Sequence, residues 1–182
     1  MFHGWSDFFL MAGSAAAVLI GLIFVVISLM QDRSRSSVLA GSRLYMGPIV
    51  LGVSFVLALS AAALTPGIGR CAFAAITAVI AVWGLVRGIM SLAGIKRLGF
   101  GSEIHWTDLW FYGVFPSAIY VALGIVALAF WNDWGWARDG LAVVITFALL
   151  LAIRNEWDLI TWITPRGEAP GGQGTGSPAR DE

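Results

Sequence analysis

The stretch FFLMAGSAAAVLIGLIFVVISLM, which runs from Phe8 to Met30, decides the fold class of this chain. It contains no charged side chain, and it is longer than the roughly 20 residues that a helix needs to cross a lipid bilayer. The whole chain of 182 residues is 58% hydrophobic and 12% charged. Soluble domains average about 25% charged residues. We therefore predict an all-α integral membrane protein.

Four more apolar runs are long enough to cross a bilayer. The five predicted transmembrane helices cover about residues 8–30, 44–64, 71–94, 109–131 and 140–163. They form one polytopic bundle, residues 1–164, because too little chain remains for a separate soluble domain. Residues 165–182 are rich in Gly, Pro and charge, so we predict a disordered cytoplasmic tail there. Whether the tail carries a docking motif stays open.

Lys and Arg residues are distributed unequally between the two sides of the predicted bundle. One side holds Arg70 and Arg138, and the other holds Arg33, Arg35, Arg43, Arg87, Lys96, Arg97, Arg154, Arg166 and Arg180. Cytoplasmic loops of membrane proteins carry the excess of these residues. We predict an N-terminus outside the cell and a C-terminus in the cytoplasm. No basic residue precedes the first apolar run, so the first helix is predicted to be retained and not cleaved as a signal peptide.

Two similar stretches, HGWSDFF (His3–Phe9) and HWTDLWF (His105–Phe111), each precede an apolar run. Their Ser, Thr and Asp side chains are suited to accept hydrogen bonds from first-turn N–H groups, so we predict Ser6 or Asp7 and Thr107 or Asp108 as helix caps. Trp side chains collect at the level of lipid headgroups. The predicted interfacial anchors are Trp5, Trp106, Trp110 and Trp157. The alternative, an inverted repeat of the kind found in transporters, conflicts with an odd number of helices.

Small residues recur at helical spacing, and such residues let helices pack closely in a bilayer. The residues predicted to pack helices together are Gly13, Ala17, Gly21, Gly84, Gly88, Gly113 and Ser117. The second helix has a similar row of Gly47, Ser54, Ala58 and Ala61. The fifth helix has no clear face, and its orientation stays open. We predict a tightly packed bundle whose bulky aliphatic side chains face lipid.

An inner polar cluster is predicted near the cytoplasmic end of the bundle, where Arg87 meets Arg154, Asn155, Glu156 and Asp158. Ionisable residues within a membrane are costly and are therefore candidates for function. Three roles stay open for Arg87. It extends to a lipid phosphate, it pairs with Glu156 or Asp158 and joins the fifth helix to the third, or it contacts a ligand.

No catalytic or cofactor motif is present in the sequence. His3 and His105 lie on opposite predicted sides, and the single Cys71 excludes a disulfide framework and a cysteine metal site. No phosphate-binding loop, serine-hydrolase elbow or zinc-protease motif occurs. We predict no metal, no cofactor and no nucleic-acid partner, and we expect that the protein is not an enzyme.

The opening WSDFFLMAGSAAAVLIGLIFVVISL and the segment IRNEWDL resemble small, uncharacterised bacterial inner-membrane proteins. That resemblance implies a multi-pass location in the inner membrane and no particular activity. Our leading hypothesis is a non-enzymatic protein that acts by binding, as an accessory subunit or a homo-oligomer, with membrane lipids around it. The alternatives are an oligomeric channel or small-solute transporter with Arg87 near its inner mouth, and a lipid-modifying enzyme.

Overall fold

The computed structural model describes residues 2–29, 47–97 and 110–163, which form five α-helices and no strands. The helices are α1 (Ser6–Leu29), α2 (Gly47–Leu64), α3 (Arg70–Arg97), α4 (Phe115–Trp131) and α5 (Ala137–Ile163). A π-helical turn, Trp110–Val114, precedes α4. The prediction of an all-α helical bundle is confirmed. The tail at 165–182 lies outside the described residues.

Two short connections join consecutive helices at one end of the bundle. Thr65–Gly69 links α2 to α3, and Gly67 adopts a φ of +73° there, which glycine reaches without steric cost. The second connection, between α4 and α5, reverses direction at Asp133, whose φ of 60° is uncommon for a residue with a side chain. Both connections are too short to separate the helices that they join.

The helices pack as two close pairs, α1 with α2 and α3 with α4, and α5 lies against α4, α2 and α1. The α3–α4 pair is antiparallel, because contacts move down α4 as they move up α3. Ala81 lies near Gly124, Gly84 near Tyr120 and Gly88 near Ser117. Contacts between α2 and α3 join the two pairs.

Four phenylalanine rings fix one end of the bundle, which we call the aromatic end. The ring centroid of Phe2 lies 4.9 Å from Phe9 and 4.8 Å from Phe73, and Phe73 lies 5.0 Å from Phe130, all in edge-to-face geometry. These contacts gather the starts of α1 and α3 and the end of α4. The ends of α1, α3 and α5 and the starts of α2 and α4 lie at what we call the opposite end.

Among the described residues, two segments are long and apolar enough to cross a membrane, Ser6–Val26 and Arg70–Met90. Two further apolar helical segments, Ile49–Leu64 and Phe115–Trp131, are shorter. The two longer segments are an indication of membrane association. The threading of all five helices through a bilayer stays a prediction.

The predicted packing faces agree with the structure in α3 and α4. Thr77, Ala81 and Gly84 are buried in α3, whereas Val79, Val82 and Val86 on its other side are exposed. In the π-turn and α4, Gly113 is buried, and the Ser117 hydroxyl donates a hydrogen bond to the Gly113 carbonyl oxygen at 2.7 Å. Small residues let these two helices approach closely along their contact.

The predicted faces of α1 and α2 differ from the observed ones. Gly13 does pack in α1, where an added Cβ would lie 3.2 Å from the Ser60 Cβ, but Ala17 and Gly21 are exposed. The buried row of α1 is Phe9, Ala12, Ala16, Leu19 and Ile23, and that of α2 includes Ile49, Val53, Val56 and Leu59. Ala58 and Ala61 are exposed. Bulky side chains are buried here because both helices also adjoin α5, and the wider space among three helices needs larger groups to fill it.

Candidate functional site

Four of the predicted inner polar residues lie on α5, on two different sides of that helix. Arg154 and Asp158 form an ion pair of 3.1 Å on a partly exposed side. Asn155 and Glu156 point inward and are 4% and 7% exposed. No hydrogen-bond partner among the described residues reaches Oδ1 of Asn155 or Oε1 of Glu156. Two adjacent buried polar groups with an oxygen unsatisfied in each are unusual in a folded protein.

The structure does not bring Arg87 to the acidic residues of α5. Arg87 lies on an exposed side of α3, and α3 packs against α4 and α2, not along α5. Asp158 pairs with Arg154, one helical turn away on the same helix. The expected joining of α3 to α5 by an Arg87 ion pair is therefore not present among the described residues. The reason is the position of α4, which contacts both of these helices.

A crevice between α2, α4 and α5 has Asn155 in its lining. It has a volume of ≈ 50 Å³ and is lined mainly by apolar side chains. Its lining includes Ile49, Leu59, Pro116, Val144 and Ala148, with Asn155 at the opposite end of the bundle. We use "the crevice" for this space below. Asn155 is thus a buried amide among mainly apolar lining residues.

Tyr120 separates the crevice from the α3–α4 contact. Its ring lies against Gly84, where an added Cβ would overlap the ring carbons. It also meets Phe55 edge-on, with ring centroids 5.9 Å apart, and its hydroxyl lies 3.9 Å from the position of a Cβ on Gly52. Tyr120 of α4 therefore contacts both α2 and α3, and glycines on those helices make room for it.

An ion pair that the sequence did not suggest lies at the aromatic end. Arg70, the first residue of α3, pairs with Asp133 in the connection between α4 and α5. The Arg70 side chain donates a hydrogen bond to the Asp133 carboxylate, and this hydrogen bond lowers the pKa of Asp133 below its ordinary value. Charge spacing along the chain gives no sign of this pair, because the two residues meet through the packing of two separate connections.

The predicted cap and anchor residues occupy several environments. α1 begins with the N–H of Phe9 bonded to the carbonyl oxygen of Trp5 at 3.1 Å, so Trp5 takes the cap position that we predicted for Ser6 or Asp7. Asp7 lies in the first turn, where its charge suits the helix dipole. Trp5 is half-buried, and Trp110 and Trp157 are exposed. Trp106, Thr107 and Asp108 lie outside the described residues.

Comparison with known proteins assigns neither a family nor a function to the chain. No protein-family model matches the chain, and neither a curated protein nor a solved structure is detectably similar to it. Within the described part of the chain, no group of three or more His, Cys, Asp or Glu residues is placed to hold a metal ion. The resemblance to small bacterial inner-membrane proteins therefore stays a prediction.

Proposed function

We propose that this chain is a multi-pass protein of the bacterial inner membrane that acts by binding. The observation that carries the proposal is the outward position of its large apolar side chains. Val79 and Val82 of α3 are 66% and 63% exposed, and Phe147 of α5 is 61% exposed. Apolar patches of this kind are rare on soluble monomers, because each Å² of apolar surface in water costs about 25 cal/mol. Lipid removes that cost.

The direction of the bundle in the membrane follows from its basic residues. The sequence that joins α1 to α2 contains Arg33, Arg35 and Arg43, and α3 ends with Lys96 and Arg97. α1 and α3 end and α2 begins at the opposite end, and cytoplasmic segments hold the excess of basic residues. We propose five spans, with the aromatic end and the N-terminus outside and the opposite end in the cytoplasm.

The binding surface that we propose is the exposed side of α1. Ala17 and Gly21 lie there, and nothing lies within 4 Å of a Cβ added at Gly21. Small residues on a lipid-facing side let the backbone of another helix approach closely. The partner would be a second copy of this chain or a transmembrane helix of a larger complex, and the protein would act as a homo-oligomer or as an accessory subunit.

The mass of the full chain in mild detergent tests this proposal. The wild-type protein should elute as an oligomer or with one partner at fixed stoichiometry, as measured by light scattering. Gly21→Leu should release single copies, because its side chain fills the close approach. Val79→Leu is the matched control, since Val79 is 66% exposed and lies on α3, outside the proposed surface. A wild-type protein that is a single copy without a partner, or an unchanged Gly21→Leu complex, would contradict the proposed surface.

A channel between copies is the second candidate, and the position of Arg87 favours it. Arg87 and Trp83 share an exposed groove of ≈ 540 Å³ on α3 whose other lining residues are apolar. If copies met on this side of α3 and not on α1, the Arg87 cation would lie near the boundary between them. Ion flux through liposomes containing the protein, lost on Arg87→Ala, would support the channel. Equal flux with and without the protein would exclude it.

A further inference from the structure

Exposed tryptophans mark both ends of α4 and both ends of α5. Trp110 begins the π-helical turn that leads into α4, and Trp131 is the last residue of α4. Trp136 immediately precedes α5, and Trp157 lies near the end of that helix. The exposed fractions of these side chains range from 44% to 67%. We call these four residues the boundary tryptophans.

The spacing of the boundary tryptophans is the same on both helices. Trp131 follows Trp110 by 21 residues, and Trp157 follows Trp136 by 21 residues. At a helical rise of about 1.5 Å per residue, each pair spans about 30 Å. The hydrocarbon core of a bilayer is also about 30 Å thick. Each helix therefore carries two tryptophans that are one hydrocarbon thickness apart.

The packing places the boundary tryptophans at two levels, one at each end of the bundle. A short connection joins α4 to α5 at the aromatic end, so Trp131 and Trp136 both lie there. Trp134 lies with them, and its ring centroid is 5.9 Å from that of Trp136. α5 runs back along α4, and the π-helical turn before α4 also contacts α5. Trp110 and Trp157 therefore both lie at the opposite end.

The outward surface between the two levels is apolar. On α4, the exposed side chains are Phe115, Ala118, Val121, Ile125 and Leu128. On the described part of α5, exposed charged side chains such as Arg138 and Arg154 lie within three residues of a boundary tryptophan. The exposed Thr146 hydroxyl donates a hydrogen bond to the carbonyl oxygen of Ala142 at 2.8 Å, so it needs no water. An apolar band with tryptophan at both edges matches a hydrocarbon core between two headgroup layers.

We propose that the boundary tryptophans lie in the headgroup layers of the two leaflets and set the depth of α4 and α5 in the bilayer. The inference rests on the proposed membrane location and adds the levels at which each leaflet meets the bundle. Indole favours the headgroup layer because its ring is apolar and its N–H donates a hydrogen bond to water or a lipid head. Val121 and Phe147, midway between the tryptophans of each pair, then lie at the centre of the bilayer.

The first experiment measures the depth of single nitroxide labels on the full chain in phospholipid vesicles. Each label is attached to one introduced cysteine in the Cys71→Ser background. Its accessibility to oxygen, which concentrates in hydrocarbon, is compared with its accessibility to a water-soluble nickel complex. Labels at Val121→Cys and Phe147→Cys should lie about 15 Å deeper than labels at Trp131→Cys and Trp157→Cys, which is half of the span. Equal depths at all four positions would overturn the proposal.

A second experiment tests whether the indole rings themselves set the level. A label at Leu128→Cys, about one turn inside Trp131, reports the depth of the aromatic end. Replacing both Trp131 and Trp136 by Leu should move this label about 3 Å deeper, the rise of two helical residues. Trp83→Leu is the matched control, because Trp83 is 59% exposed but lies 13 residues after Arg70, about 20 Å from the aromatic end. A label that keeps its depth in the double variant would show that the rings do not set the level.

The depth profile also distinguishes this inference from the proposed function. If the nickel complex reaches the labels at Val121→Cys and Phe147→Cys as readily as it reaches a label in water, α4 and α5 do not span the membrane, and the proposed five spans are wrong. If both labels lie in hydrocarbon but labels near one end of each helix are deeper, the spans stand and only the boundary tryptophans are wrong.

Discussion

The ring of Tyr120 lies on the backbone of Gly84, in the space that a Cβ at position 84 would occupy. This contact joins α4 to α3, and the same ring meets Phe55 of α2. One side chain thus connects three helices, and its position depends on a glycine that allows close approach. The stability of the bundle should be sensitive to both residues.

Gly84→Ala should destabilise the fold by about 1–3 kcal/mol, because the added methyl group forces the Tyr120 ring out of its site. Thermal unfolding of the purified chain in detergent measures the effect. Combining Gly84→Ala with Tyr120→Val should recover part of the loss, since the smaller side chain leaves room for the methyl group. Gly21→Ala is the control and should change little, because nothing lies near it. Equal effects of Gly84→Ala and Gly21→Ala would contradict the contact.

The Arg70–Asp133 ion pair should make stability depend on acid pH. The pKa of Asp133 is lower in the folded chain than its ordinary 3.8, so the pair contributes in full above 3.8, and its contribution is lost as the pH falls from there through the lower pKa of the folded chain. Between about pH 6 and pH 3, the wild type should lose more thermal stability than Asp133→Asn. Asp and Asn both tolerate the left-handed backbone at position 133, so the Asn variant removes the charge without adding strain. Parallel pH profiles for the two proteins would show that the pair contributes nothing.

Cys71 offers a test of the proposed direction in the membrane. It is exposed, lies at the aromatic end beside Arg70, and is the one cysteine of the chain. A membrane-impermeant maleimide should label it in intact spheroplasts, because that end is proposed to lie outside. In a Cys71→Ser background, Ser177→Cys in the tail should react after permeabilisation and not before. The reverse pattern would invert the topology.

Glu156→Leu should stabilise the bundle by about 1–3 kcal/mol, because it replaces a buried carboxyl oxygen without a partner among the described residues by an apolar group. Glu156→Gln keeps a polar group at the site and should change stability less. Unfolding of both variants in detergent provides the comparison. A strong loss of stability in Glu156→Leu would mean that the carboxyl has a partner in the assembled protein.

Arg87→Leu should change the stability of a single copy by less than about 0.5 kcal/mol, the usual size of an effect at an exposed position. The residue is exposed, and no ion pair involves it among the described residues. Thermal unfolding of wild type and variant at equal detergent concentration measures the difference. A loss of several kcal/mol would instead support the ion pair that we expected from the sequence. In that case, Glu156→Arg or Asp158→Arg should recover the stability that Arg87→Glu loses.

The sequence was sufficient for the helices and for the sides on which two of them pack. Long apolar runs favour helices, because a helix bonds its backbone groups within its own segment. The small residues of α3 and α4, such as Gly84 and Ser117, marked the sides of these helices that pack, because small side chains let two helices approach closely, but they did not show that α3 and α4 are partners. The start of α4 was less predictable, because a π-helical turn occupies Trp110–Val114.

Tertiary structure decided the arrangement of α1, α2 and α5, and with it the candidate site. The row of small residues on α1 suggested burial of Ala17 and Gly21, yet Phe9 and Leu19 are buried in their place. Sequence periodicity shows which sides of a helix carry small or bulky residues. Which of these sides meets a neighbouring helix depends on the number of neighbours and on the volume between them that side chains must fill. The same reason explains why Arg87 and Glu156 are separated, and why Asn155 lies at a crevice that three helices enclose.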